Sequence, residues 1–293
     1  MTRRSVPEEQ RLQVHSRYVS VDGIRTHYLE AGDGRPVVLL HSGEFGGCAE
    51  ISWEFVLPKL AERYHVLAPD WLGFGRTDKI HDFQLGQARR LTHLRRFVDL
   101  MCVKDAYFVG NSMGGSLFSR GLSADPDGWP IRALALVSAG GFSPDNEHRR
   151  VLLNYDCTRE AMRAIVRAMF FAPRWPDDEA YVERRYQMSM LPGAWECTAA
   201  VRFKNPQAGE RERFGQPDNT PYGNIKVPTL IVAGANDKLR LPGYANELAA
   251  KFRNAELHVL DNCGHCPNIE RADDANRLLL DFFARQDKEG SAP

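Results

Sequence analysis

Three residues of this chain have the types and positions that nucleophilic catalysis needs. Ser112 lies in Gly110-Asn111-Ser112-Met113-Gly114, a Gly-x-Ser-x-Gly pattern where the apolar run ending at Val109 should turn sharply into a helix. A serine exposed on such a strained turn tolerates only glycine or another small residue two positions to either side, because strand and helix approach closely there. A neutral serine is a weak nucleophile, so it needs a base within hydrogen-bond reach and an acid that fixes the base's tautomer. Asp237 follows the apolar run Val227 to Gly234, and His265 follows the run Glu256 to Asp261, each just past a predicted strand end. The order serine, acid, histidine is that of one large group of hydrolytic folds. Structural readings exist for each: a plain Gly/Ser turn, Asp237 as a helix cap, Asp261 or Glu270 as the acid, and His265 as a surface histidine. The backbone N–H of Met113 and one from the loop His41 to Gly47, most readily Gly43, would form an oxyanion hole, each donor worth ~3 kcal/mol of barrier.

A second chemistry competes for the same histidine. Cys263-Gly264-His265-Cys266 has the C-x-x-C spacing of thiol-disulfide proteins, which would require a low-pKa thiolate at a helix start in a small thioredoxin-like unit. The pattern instead falls near the end of a long chain. The six cysteines are scattered, and they read as free thiols.

Around these residues the composition is that of a soluble globular protein: 293 residues, 43% hydrophobic, 26% charged, formal net charge zero. Nothing in it points to nucleic acid or to an anionic membrane. No apolar segment is long enough to span a bilayer, and the first ten residues lack the apolar core of a secretory signal, so cytoplasmic residence is expected. Neither zinc-ligand spacing nor a Gly-x-Gly-x-x-Gly turn is found, so neither metal nor organic cofactor is expected and the partner is a small-molecule substrate.

The elements that must position the site read as alternating strands and helices. Arg17–Asp22 and Ile24–Glu30 form a hairpin about Asp22-Gly23, and Pro36–Leu40 is a strand buried on both faces. Helix Trp53–Arg63, strand Tyr64–Pro69, helix Gln87–Met101, the Ser112 strand, helix Gly114–Leu122 and strand Ile131–Ser138 follow. This alternation predicts an α/β fold with a doubly wound, mostly parallel sheet. From Phe142 to Asn219 only helical periods appear (Arg159–Phe170, Asp177–Met190, Ala194–Phe203), an insertion that would cover the carboxyl end of the sheet. Strand Val227–Gly234, helix Gly243–Phe252, strand Glu256–Asp261 and helix Ala272–Ala284 complete the pattern. The polar tail from Arg285 is expected to be disordered.

From Val21 to Phe283 the chain resembles the α/β-hydrolase superfamily, and within it the meta-cleavage product hydrolases. The likeness is carried by Gly110-Asn111-Ser112-Met113-Gly114-Gly115, by Asn262-Cys263-Gly264-His265 leading into Asn268-Ile269-Glu270-Arg271-Ala272-Asp273, and by Glu179-Ala180-Tyr181-Val182-Glu183-Arg184-Arg185-Tyr186. It implies an α/β-hydrolase fold with an eight-stranded sheet, helices on both faces, a core of residues 1–143 and 219–293, and a helical lid of residues 144–218 inserted after the sixth strand. The implied reaction is carbon-carbon bond cleavage in 2-hydroxy-6-oxo-hexa-2,4-dienoate-type compounds. Arg185 would then hold the substrate carboxylate, with Arg184 its neighbouring competitor, and Asn111 would bond the enol end. The chain departs from the pattern where Cys266 replaces a tryptophan that packs on substrate, and where Ser42, Glu44 and Phe45 enter a loop that is usually richer in glycine. A carboxylesterase or lactonase with the same three residues is the main alternative. The resemblance also suggests a homodimer or higher homo-oligomer.

Overall fold

The computed structural model describes residues 12–83, 86–200 and 214–289. Eight strands form one sheet: β1 His15–Val21, β2 Ile24–Ala31, β3 Pro36–Leu40, β4 His65–Pro69, β5 Ala106–Asn111, β6 Ile131–Val137, β7 Thr229–Gly234 and β8 Ala255–Leu260. Their order across the sheet is β1-β2-β4-β3-β5-β6-β7-β8. The pairs β1/β2 and β2/β4 are antiparallel and all others are parallel, as alternation beyond the first hairpin predicts.

The continuous apolar runs find apolar partners on both sides. Val38, Leu40 and Phe108 face one buried cluster with Leu94, Phe97 and Phe118. Val37, Leu39, Tyr107 and Val109 face the other, with Leu279 and Phe283. A parallel strand buried on both faces cannot alternate apolar with polar, so its sequence reads as an unbroken run. The helices are α1 Ala49–Ser52, α2 Leu57–Ala61, α3 Gln87–Leu100, α4 Met113–Ala124, α5 Glu147–Leu153, α6 Arg159–Met169, α7 Arg174–Asp177, α8 Glu179–Ser189, α9 Ala194–Ala200, α10 Tyr244–Ala249, α11 Pro267–Glu270 and α12 Ala272–Glu289. Helices α5 to α9 all lie between β6 and β7, and a third buried cluster joins them to Phe45 and Ile269 of the core. No helix among the described residues is long and apolar enough to cross a membrane.

Two expected helices differ. The stretch Trp53–Arg63 is broken: α1 ends before Trp53 and α2 begins at Leu57 with Pro58 in its first turn. Proline lacks an N–H and fits a helix start, not its middle. The stretch Asp177–Met190 also restarts, because the Asp178 side chain accepts from Tyr181 N–H and caps α8. The helix expected over Ala194–Phe203 is present from Ala194 to Ala200, and residues 201–203 lie outside the described residues.

The tail expected to be disordered from Arg285 is instead the last turns of α12. Polar side chains hold it: Asp287 accepts hydrogen bonds from Tyr64, Tyr107 and Arg35, and Arg285 pairs with Glu256. Residues 290–293 of that tail lie outside the described residues.

Candidate active site

Ser112 stands at the junction of β5 and α4 with φ 51° and ψ −114°, in the left-handed region. Its N–H donates to Val137 O on β6 at 3.0 Å, anchoring the turn to the neighbouring strand. A Cβ at Gly110 would overlap Gly115 N, and one at Gly114 would overlap the Leu40 carbonyl of β3. Both glycines are therefore required by contact, as the pattern predicts.

His265 Nε2 lies 2.7 Å from Ser112 Oγ, and His265 Nδ1 lies 2.6 Å from Asp237 Oδ2. Asp237 Oδ1 accepts from Leu239 N–H at 2.9 Å, so one carboxylate both caps its own turn and orients the imidazole. Burial works against the Asp237 carboxylate, but His265, Arg240 and the Leu239 N–H outweigh it and hold the group below the usual aspartate range. The other acids are elsewhere: Asp261 is exposed, and the Glu270 carboxylate accepts from the N–H groups of Phe171, Ala172 and Gly264. His265 N–H donates to Met169 O at 2.7 Å. The histidine loop is thus tied at two places to the end of α6.

Ser112, Met113 and Gly43 keep partial exposure while the surrounding side chains are buried. The Met113 N–H belongs to the first turn of α4, where a helix leaves its donors without internal acceptors. The Met113 side chain lies against Gly43 so closely that a Cβ there would overlap it. His41 braces this loop: Trp71 N–H donates to its Nε2 at 3.0 Å, and its Nδ1–H donates to Ser42 O at 2.6 Å. Burial lowers its pKa, consistent with that neutral tautomer. The arrangement of Ser112, His265 and Asp237 can activate a hydroxyl or a water molecule.

The substrate-contact expectations fare differently. Arg185 is fully buried, with Nη1 on Glu44 Oε1 at 2.6 Å and Nε on Tyr181 OH at 3.0 Å. Glu44 and Tyr181 thus meet Nη1 and Nε, while Nη2 is a buried donor with no hydrogen-bond partner among the described residues. The same pair accounts for Glu44 in the loop after β3: burial would raise its pKa, and Arg185 holds it below the glutamate range instead. Arg184 points away to an exposed pair with Glu54. Asn111 is buried and donates through Nδ2 to Val137 O at 3.0 Å and His265 O at 3.4 Å, fastening the histidine loop to the sheet, while its Oδ1 has no hydrogen-bond partner among the described residues. Cys266 is wholly buried in the cluster of Phe45, Tyr181 and Ile269.

The redox reading is corrected too. Cys263 and Cys266 are both buried free thiols, and burial pushes both pKa values up, the reverse of a reactive thiolate.

Two groups near the site escaped the sequence reading. Arg240 donates to the carbonyls of Ser138 and Phe142 behind Asp237. Arg90 lies on the buried stripe of α3 with His93, Leu94 and Phe97, next to Met113. Its position at i with buried residues at i+3, i+4 and i+7 was the available signal.

A family profile described as the alpha/beta hydrolase family matches residues 37–278. The 2-hydroxy-6-oxo-6-(2'-aminophenyl)hexa-2,4-dienoic acid hydrolase of Metapseudomonas resinovorans is 33% identical over 273 residues, 92% of this chain and 91% of that protein. Among solved structures, a serine hydrolase involved in carbazole degradation (CarC) is 31% identical with TM-score 0.77, covering 93% of this chain and 99% of that one. The meta-cleavage product hydrolase CumD of Pseudomonas fluorescens IP01 is 27% identical with TM-score 0.81, covering 92% and 97%.

Proposed function

The chain belongs to the α/β hydrolase family and, within it, to the meta-cleavage product hydrolases. On that premise we propose that it hydrolyses the carbon-carbon bond beside the ketone of a 2-hydroxy-6-oxo-hexa-2,4-dienoate-type compound. Water supplies a hydroxyl to the ketone carbon and a hydrogen to the dienoate carbon, giving a carboxylic acid and a 2-hydroxypentadienoate.

The observation that carries this reading is the run of hydrogen bonds from Ser112 through His265 to Asp237, at 2.7 and 2.6 Å. In it Ser112 is the reacting hydroxyl, His265 moves the proton and Asp237 holds the imidazole in the tautomer with Nε2 free to accept. The N–H groups of Gly43 and Met113 receive the ketone oxygen as it becomes negative. Helices α5 to α9, within residues 144–218, act as a lid that keeps bulk water from the reacting carbons. A cytoplasmic homodimer or higher homo-oligomer completes the reading, its size measurable by sedimentation.

The test follows a dienoate chromophore and a p-nitrophenyl ester with the wild-type protein and Ser112→Ala. Rapid Ser112-dependent loss of the dienoate colour supports the reading. Turnover of the ester alone assigns the same three residues to a carboxylesterase or lactonase instead.

A further inference from the structure

Helix α6 ends without the left-handed residue that commonly closes a helix: Phe170 follows it in extended conformation, at φ −103° and ψ 148°. Carbonyls of its last turn then need donors from elsewhere. They find them on the two loops that carry Asp237 and His265. Lys238, next to Asp237, donates through Nζ to Arg167 O at 3.0 Å and to Phe170 O at 3.3 Å, at the helix end where a cation is favoured. His265 donates its own backbone N–H to Met169 O at 2.7 Å.

Glu270 closes the other half of this contact. One carboxylate oxygen accepts from Phe171 N–H at 2.7 Å and Ala172 N–H at 2.9 Å, just past α6, and the other accepts from Gly264 N–H, directly before His265. A buried carboxylate with three backbone donors is fixed in place, so it fastens the two segments to each other. Their approach is close: a Cβ at Gly264 would lie 2.5 Å from Met169 O and 2.8 Å from both Glu270 Oε2 and Phe171 N. Toward the sheet the His265 backbone is held less firmly, its carbonyl accepting from Asn111 Nδ2 at 3.4 Å. The shorter of its two backbone anchors therefore lies on the inserted helices.

We propose that Glu270 and Lys238 are positioning residues for the reaction: by seating the two loops on the end of α6, they set where the His265 imidazole stands between Ser112 and Asp237. This deepens the dienoate reading above, and names what places its base. Both residues bind backbone groups and act on the chemistry through His265. The imidazole spans 2.7 Å to Ser112 Oγ and 2.6 Å to Asp237 Oδ2, and a misplacement of about 1 Å in such a group can cost about a hundredfold in rate.

The test takes Glu270→Gln and Lys238→Met through three readouts: turnover of the dienoate, the rate at which a fluorophosphonate probe labels Ser112, and the downfield proton resonance of His265 Nδ1–H. Glutamine keeps the shape, but either orientation of its amide turns a donor toward one of the two backbone segments. Glu270→Gln should lower kcat by about tenfold or more with KM within about twofold, slow the labelling by a similar factor and shift the resonance, in protein that urea unfolding shows to be folded. Lys238→Met should move the same readouts in the same direction by a smaller factor, and it decides alone if Glu270→Gln does not fold. Wild-type kcat, labelling and resonance in variants that have merely lost stability would overturn the assignment, as would a raised KM at unchanged kcat. Failure of wild-type protein on any dienoate overturns the underlying reading instead, and the labelling rate and the resonance then decide the positioning role separately.

Discussion

Glu44 and Arg185 form a 2.6 Å ion pair in which the two side chains are 2% and 0% exposed, joining the loop after β3 to α8. Removing one partner leaves the other charge buried, whereas removing both leaves an apolar contact. Glu44→Gln should therefore destabilise the fold by roughly 3–5 kcal/mol in urea unfolding, and Glu44→Leu combined with Arg185→Met should recover most of it. Equal loss in single and double variants would show that the pair carries no such coupling.

The acid side of the stability profile follows from the same pair and from Asp237. Both carboxylates have folded pKa values below their ordinary ones. A depressed carboxylate contributes stability that is present above the unfolded pKa, about 4, and is lost as pH falls through the lower folded value. The urea midpoint should hold down to about pH 4 and then fall, and the Glu44→Leu, Arg185→Met double variant should fall less steeply. A midpoint that rises below pH 4 would have the wrong sign for this linkage.

For the reaction, Asp237→Asn leaves packing nearly unchanged but removes the acceptor that fixes the His265 tautomer, while Ser112→Ala removes the hydroxyl itself. By the logic of serine–histidine–acid sites, each should lower kcat by about 10^3 to 10^4 or more, with unfolding midpoints close to wild type. Retention of activity by Ser112→Ala on every substrate would remove the serine from the chemistry.

Much of this was legible because sheet strands and a nucleophile turn are local. Val37–Leu40 and Tyr107–Val109 must be apolar on both faces, and Gly110 and Gly114 are fixed by contacts with residues near in sequence or in adjacent strands. What stayed hidden is pairing across distance. Nothing near Arg185 announces Glu44, which lies 141 residues earlier, and the last turns of α12 looked like a polar tail because the donors to Asp287, Tyr64 and Tyr107, lie far away in the sequence. A resemblance carries a residue type to a position, but not the partner that neutralises it.

Gly114 offers a backbone test without touching chemistry. A methyl there meets the Leu40 carbonyl of β3, a rigid neighbour that cannot rotate away. Gly114→Ala should cost about 1–3 kcal/mol or more by overpacking, seen in thermal unfolding. Gly243→Ala is the control: no atom lies near its added methyl, and only its φ of 81° opposes the change. Equal destabilisation at the two positions would argue against close approach of strand and helix as the reason for Gly114.

Asp287 anchors the last turns of α12 to the sheet. Its carboxylate accepts from Tyr107 OH at 2.7 Å, Arg35 Nε at 2.8 Å and Tyr64 OH at 3.0 Å, while Phe283 stacks on Tyr107 at 4.1 Å. Burial, with the Asp287 charge adding to it, raises both tyrosine hydroxyls, so they remain donors at neutral pH. Hydrogen bonds to a charged acceptor are each worth roughly 1.5–3 kcal/mol, and Asp287→Ala leaves the Tyr64 phenol without its acceptor and Tyr107 with only the Phe283 carbonyl at 3.1 Å. The expected loss is at least about 2 kcal/mol in urea unfolding, with faster amide exchange confined first to the end of α12. Tyr107→Phe should lose less, because Phe283 keeps its stacking partner and Tyr64 keeps Asp287. An Asp287→Ala protein as stable as wild type, with α12 still protected from exchange, would return the end of the chain to the disorder its polar composition suggests.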